Sequence, residues 1–207
     1  MALAISMQQL FWLKTLIHTS ATIPLLWLYY QAYTDRLGAD PVEAVIHFTG
    51  IGALNLLMLS LLVSPLAKQG GLAFLLRCRR MLGLYAFVYA VCHILNFVVF
   101  ELQLDMQLFV QEVIERSYIV VGMLAFLILT ALAVTSINSL RRKMGAYWQN
   151  LHNFIYLSAL LVLVHFYWSV KSDITDPLIY FSLFLLLMLP RYKKFRRWTE
   201  RWSPRSK

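Results

Sequence analysis

Three histidines, His93, His152 and His165, lie inside apolar stretches of a 207-residue chain. An ionisable ring at membrane depth is costly, so such a residue reads first as functional. His152 and His165 stand thirteen residues apart in the apolar run 151–170. On a helix rising about 1.5 Å per residue that separates the two rings by about 20 Å. A hydrocarbon core is roughly 30 Å thick, so the rings lie toward different leaflets. Neutral imidazole is a common axial ligand of b-type haem, and six-coordinate iron tuned for electron transfer takes two strong ligands. Histidines at two depths therefore point to metal centres that relay electrons across a membrane.

The elements that must position these rings are legible from composition. The chain is 60% apolar and only 14% charged, with a mean hydropathy of +0.64; a soluble domain carries about 25% charged residues. Six apolar stretches approach spanning length, at about 10–30, 45–65, 81–100, 118–138, 151–170 and 177–192. Without water to satisfy the backbone, runs of this kind must be helices. The expected fold class is an all-α integral membrane protein, a six-transmembrane-helix bundle forming one domain over 1–207. The first stretch carries Lys14 and His18 and lacks a small-residue cleavage site, so it reads as a retained span. Cys78 and Cys92 form no C-x-x-C-H or C-x-x-C pattern, which argues against covalent haem attachment and a disulfide framework.

A net charge of +9 raises the question of nucleic acid. Its placement answers no. Alternating six spans puts 16 of the 19 Lys and Arg on one side, including Lys14, Arg77, Arg79, Arg80, Arg141 to Lys143 and eight in the tail 191–207. Nine of the ten acids fall on the other side. This asymmetry is the positive-inside rule, with both termini cytoplasmic and the basic tail anchored at lipid headgroups. The outer connection 101–117 spaces Leu104, Leu108, Phe109, Val113 and Ile114 at helical intervals beside four acids, as an amphipathic surface helix does. Its alternatives are interfacial packing and a ledge for a basic partner. No G-x-G-x-x-G, P-loop or internal repeat appears, so electrons must come from another protein, a bound flavin or a lipid-soluble quinone.

In the expected topology spans three and five run the same way, and His93 and His165 reach similar depths on the outer half, where one haem fits between them. His152 near the inner entrance lacks a histidine partner. Arg79 falls about 40° from the face of His93 and Arg80 about 140° away, and a guanidinium suits a haem propionate or flavin phosphate. Positive-inside anchoring explains these arginines equally. His18, one turn after Lys14, is placed for a quinone or flavin or for packing; His47, opening span two, is placed for structure or for a site. Trp148, His152 and Tyr156 share one face and would form an aromatic wall.

One histidine on span three and two on span five resemble the ferric-reductase-like transmembrane domain shared by NADPH oxidases and metalloreductases. The whole chain is similar to one branch, the haem-binding membrane subunits of bacterial methionine-sulfoxide reductases. The strings that carry this are Leu37-Gly38-Ala39-Asp40-Pro41, His47-Phe48-Thr49-Gly50, Arg79-Arg80-Met81-Leu82-Gly83-Leu84, Trp148-Gln149-Asn150-Leu151-His152-Asn153-Phe154-Ile155-Tyr156-Leu157, Trp168-Ser169-Val170-Lys171 and Arg191-Tyr192-Lys193-Lys194. The resemblance implies haem b, one or two, ligated by His93, His152 and His165, with FMN as a further cofactor. It implies a bacterial inner-membrane location and electrons from the quinone pool or a cytoplasmic flavin reductase. They leave to a periplasmic molybdopterin reductase subunit that repairs oxidised proteins. The wider oxidase pattern has a fourth histidine where Arg79 stands, and this leaves one haem or two open. The rival functions are a stand-alone ferric or quinone reductase and a proton-coupled transporter using the histidines as a relay. Paired inverted segments, the transporter sign, are absent.

Overall fold

The computed structural model describes residues 5–170 and 173–192; the basic tail after Tyr192 and Lys171 lie outside the described residues. Among the described residues every regular element is helical. Nine α-helices follow one another: α1 Met7–Tyr33, α2 Pro41–Gln69, α3 Arg79–Asn96, α4 Met106–Glu115, α5 Ser117–Val134, α6 Asn138–Met144, α7 Ala146–His152, α8 Ile155–Ser169 and α9 Thr175–Met188. A π-helical turn, Phe97–Glu101, prolongs α3.

Local chemistry sets several of the starts. Ser6 and Gln9 form a reciprocal capping box on α1. Asp40 accepts from the Glu43 amide and Pro41 supplies a first-turn proline with no amide hydrogen to lose. Asp105 accepts from the amides of Gln107 and Leu108, which starts the amphipathic helix α4 inside the connection where the sequence places one.

Four helical segments among the described residues are long and apolar enough to cross a membrane: Pro41–Gln69, Arg79–Glu101, Ser117–Val134 and Ala146–Ser169. The protein is a multi-pass membrane protein. α1 is long enough at 27 residues but less apolar, and α9 has only 14 residues. The run 151–170 is not one continuous helix. It breaks at Asn153 and Phe154, between α7 and α8, and this local turn is what sets His152 apart from the helix that carries His165.

Side-chain rungs give the relative directions of the helices. α1 and α3 run parallel, because His18 meets Tyr85, Tyr89 Oη donates to the Ala21 carbonyl, and Tyr29 Oη donates to Asn96. α2 runs antiparallel to α3, through Ile46 with His93 at one end and Ser60 with the Arg79 carbonyl at the other. α5 is antiparallel to α8 in the same manner, with Tyr118 against His165 and the Ala125 carbonyl against Ser158 Oγ. Lipid tails offer no hydrophobic drive for helix pairing, so close approach of small residues matters most. Ala86, Ala159 and Ser158 are fully buried at these contacts around Leu54, Leu57 and Leu163. Large apolar side chains such as Leu26, Leu127 and Leu186 point outward at more than half exposure, as a lipid-facing surface requires.

Candidate functional site

His93 on α3 and His165 on α8 face one another with ring centres 6.2 Å apart and planes at 85°. Each ring is held by a carbonyl from the neighbouring helix: His93 Nδ1 donates to the Ile46 carbonyl at 2.9 Å and His165 Nδ1 to the Tyr118 carbonyl at 2.7 Å. A carbonyl can only accept, so both rings carry their proton on Nδ1 and keep the Nε2 lone pair. That is how metal-bound imidazoles are oriented and made more basic. Glycine makes the seat. A Cβ on Gly50 would come within 3.0 Å of His93 Nδ1, and one on Gly122 within 2.7 Å of His165 Nδ1.

The two seats are copies. Ile46, Gly50 and His93 map onto Tyr118, Gly122 and His165 with a constant offset of 72 residues (118 − 46, 122 − 50 and 165 − 93). The helix pairs α2–α3 and α5–α8 thus repeat one device, where the sequence had shown no internal repeat. The signal existed as two Gly-to-His separations of 43 residues (93 − 50 and 165 − 122). Two matching positions are too few to stand out among the glycines that membrane helices commonly contain.

Haem fits this pair. An iron bound at about 2 Å by an imidazole nitrogen on each side places ring centres about 6 Å apart, which is the separation observed. The donor set is right as well: two neutral imidazoles with fixed tautomers, in a half-buried apolar surround.

His152 lies elsewhere. Its Nε2 contacts Thr135 Oγ1 at 3.2 Å, and the Thr135 hydroxyl already donates to the Ala131 carbonyl. With its hydroxyl hydrogen on Ala131, Thr135 accepts from His152 Nε2–H, the opposite tautomer to the His93–His165 pair. Trp148 stacks on the ring at 3.9 Å and donates its indole N–H to the Thr135 carbonyl. Thirteen residues of α5 and its cap separate Thr135 from Gly122, which lies against His165, and this sets His152 about 20 Å from the His93–His165 pair along that axis. The aromatic wall forms from Trp148 with His152, while Tyr156 lies under the Arg191 guanidinium at 5.7 Å. Thr135 was not among the residues the sequence singled out.

The remaining candidates separate. Arg79 and Arg141 are charged neighbours of His152, whereas Arg80 turns away to Asn138. Arg191 is buried and donates to the carbonyls of Leu187 and Leu61. One end of the bundle therefore collects Arg79 and Arg141 beside His152, with Arg191 over Tyr156 and near Arg79. His47 is exposed on α2 beside Ile46, and His18 pairs with Tyr85 on the α1–α3 side.

The pattern of seats and spans has counterparts. A family model described as "Ferric reductase like transmembrane component" matches residues 49–163. A protein of Pectobacterium carotovorum subsp. carotovorum (strain PC1) named "Protein-methionine-sulfoxide reductase heme-binding subunit MsrQ" is 45% identical over 195 residues, which is 94% of this chain and 98% of that protein. The chain belongs to the MsrQ family. A member from Yersinia pestis (strain Pestoides F) is 46% identical over 202 residues, with the same 94% and 98% coverage. No solved structure matches. In this MsrQ family chain the matched segment starts at Thr49, next to the first glycine seat, and ends two residues before His165. The full-length relatives therefore carry the resemblance over the second seat.

Proposed function

We propose that this chain is the haem b membrane subunit of a protein-methionine-sulfoxide reductase, conducting electrons outward across the bacterial inner membrane. One observation carries the reading: two imidazoles at iron-spanning separation, each locked by a carbonyl and a glycine on the adjacent helix. The names of the relatives, "heme-binding subunit MsrQ", support the cofactor and the assembly. Haem b, when bound, alternates between ferric and ferrous iron and so carries one electron at a time.

The chain's own residues do the rest. His93 and His165 would hold the haem iron through Nε2; Ile46 and Tyr118 fix their tautomer; Gly50 and Gly122 let the rings lie against helix backbone. His152, with Arg79 beside it, forms a second, inner centre for another haem or for FMN, whose anionic group the arginines balance. His47, exposed beside Ile46, is a charged neighbour of His93 at the edge of this site. Electrons enter from the quinone pool or a cytoplasmic flavin reductase and leave to a periplasmic molybdopterin-containing subunit. Methionine sulfoxide is reduced there and not on this chain.

The alternating helix directions support a single domain over 1–207 that uses α1 and α9 as first and last of six spans. Both termini are then cytoplasmic, and the positive charge of 193–207 suits anionic headgroups, whereas Arg191 is buried. The deciding experiment is a reduced-minus-oxidised spectrum with a pyridine hemochrome count on purified protein. Haem is expected at one or two per chain. Colourless, folded protein from haem-replete cells overturns the reading.

A further inference from the structure

The α1–α3 side holds a polar cluster that the haem seats do not use. His18 Nδ1 lies 2.7 Å from Tyr85 Oη, with the rings edge-on at 5.5 Å, and Thr22 Oγ1 lies 3.2 Å from the same Tyr85 oxygen. Lys14, His18 and Thr22 follow at i, i+4 and i+8, one stripe along α1. Polar side chains at membrane depth normally face the bundle interior. These do not: His18 and Thr22 are exposed among Leu16 and Leu26, themselves 63% and 64% exposed. Their neighbours Thr19 and Ser20 fold back onto carbonyls of their own helix, at Leu16 and Ile17, which is the inexpensive way to bury a hydroxyl in lipid. The triad instead lies on the exposed side of α1, with His18 Nδ1, Tyr85 Oη and Thr22 Oγ1 joined to one another and His18 Nε2 left over for a ligand.

The depth is set by the rungs. His18 with Tyr85, Ala21 with Tyr89 and Tyr29 with Asn96 align α1 with a span long and apolar enough to cross the membrane. Tyr85, Tyr89 and His93 stand at i, i+4 and i+8 on α3. Eight residues put the triad about 12 Å along the helix axis from the outer haem seat.

We infer that His18, Tyr85 and Thr22 form a binding site for the head group of a lipid-soluble quinone. This deepens the electron-transfer reading above and rests on α1 lying in the membrane as proposed there. The chemistry fits both redox forms of one ligand. When Tyr85 donates to His18 Nδ1, the Nε2–H is free to donate to a quinone carbonyl. When the histidine proton sits on Nδ1 and Tyr85 accepts it, Nε2 accepts from a quinol hydroxyl. Thr22 can serve the tyrosine oxygen in either case. A ligand arriving through lipid needs an apolar approach, which exposed α1 supplies. A soluble flavin needs phosphate partners, which gather at the opposite cluster around Arg79.

The test uses the full-length protein in lipid nanodiscs with an azidoquinone photoprobe carrying a decyl tail. Labelling is expected on the α1 peptide that contains His18, displaced by decylubiquinone or by menadione; the stronger competitor tells a benzoquinone from a naphthoquinone. His18→Ala and the milder Tyr85→Phe are each expected to cut labelling about tenfold, the effect of a lost hydrogen bond in a low-dielectric site. Haem content serves as the folding control. Unchanged labelling in both variants at native haem content overturns the site, as does a stripe covered by a second protein, seen as disulfide dimers of His18→Cys. Failure of the haem reading is separate: it gives colourless protein whatever the probe does.

Discussion

Gly122 lies under the His165 imidazole so closely that a methyl on its Cα would come within 2.7 Å of Nδ1. Helix backbone cannot yield at that distance, so Gly122→Ala must push the ring away and break its bond to the Tyr118 carbonyl. Removing the partner that orients a metal-bound histidine typically costs about tenfold to a hundredfold in metal affinity. Gly122→Ala is therefore expected to lower haem retention by about that factor. Gly50→Ala, whose Cβ would lie 3.0 Å from His93 Nδ1, should do the same more mildly. Gly83→Ala is the control, because its Cβ would meet only Ser60 Oγ at an ordinary 3.6 Å. Haem per chain after a detergent wash, with the low-spin electron paramagnetic resonance signal, reads all three. Equal retention in all three would refute the seat.

His152 and Thr135 form a separate unit about 20 Å along α5 from Gly122 and the His165 ring. His152→Ala removes the Thr135 contact and the ring stacked on Trp148 but touches neither glycine seat. The His93–His165 haem should persist with its spectrum unchanged, and only a second haem or FMN should be lost. Low-temperature difference spectra and flavin fluorescence of the purified variant separate these outcomes. Loss of all haem would mean that the three histidines serve one centre.

The histidines were legible because a titratable ring inside an apolar run has few inexpensive explanations. The pairing of His93 with His165 was legible too, from counting residues into spans that run the same way. What holds the rings was not. Ile46 and Tyr118 act through backbone carbonyls, which every residue owns, and Gly50 and Gly122 act through the absence of a side chain. The helix break at Asn153 was hidden because neither it nor Phe154 is a glycine or proline, and apolar character continues across it. The Thr135 contact joins residues seventeen apart across the connection between two helices, a spacing that no single-helix periodicity marks.

Asn96 is buried between three helices, accepting from Tyr29 Oη at 3.0 Å and donating to Thr49 Oγ1 at 3.3 Å. Asn96→Leu leaves the tyrosine hydroxyl with the Cys92 thiol as its remaining partner, while Thr49 keeps its own bonds to the carbonyls of Val45 and Ile46. Interhelical hydrogen bonds in membranes contribute about 1 kcal/mol on average, and the substitution removes both that Asn96 makes. The expected loss is about 1–2 kcal/mol, measured as a lower Tm by circular dichroism in detergent. Haem content at low temperature should fall less than in Gly50→Ala, because Asn96 reaches the Ile46 carbonyl that orients His93 only through Thr49. A Tm equal to the parent would show that Asn96 is not a strut.

The rungs fix relative helix directions, and from them follows a test of sidedness. The starts of α2 and α5 lie level with the ends of α3 and α8, because Ile46 meets His93 and Tyr118 meets His165. The connections 34–40 and 101–116 must then share one side, and those at 70–78 and 135–145 the other. Basic residues, Arg77, Arg79, Arg141, Arg142 and Lys143 among them, gather at the second, which the positive-inside rule assigns to the cytoplasm. With Cys78 and Cys92 replaced by serine, Arg36→Cys and Gln111→Cys should react with an impermeant thiol reagent on intact cells with a permeable outer membrane. Gln69→Cys and Ser139→Cys should react only after lysis. Labelling of Gln69→Cys and Gln111→Cys from the same side would contradict the antiparallel pairing of α2 with α3 and, with it, the placement of both imidazole seats at one depth.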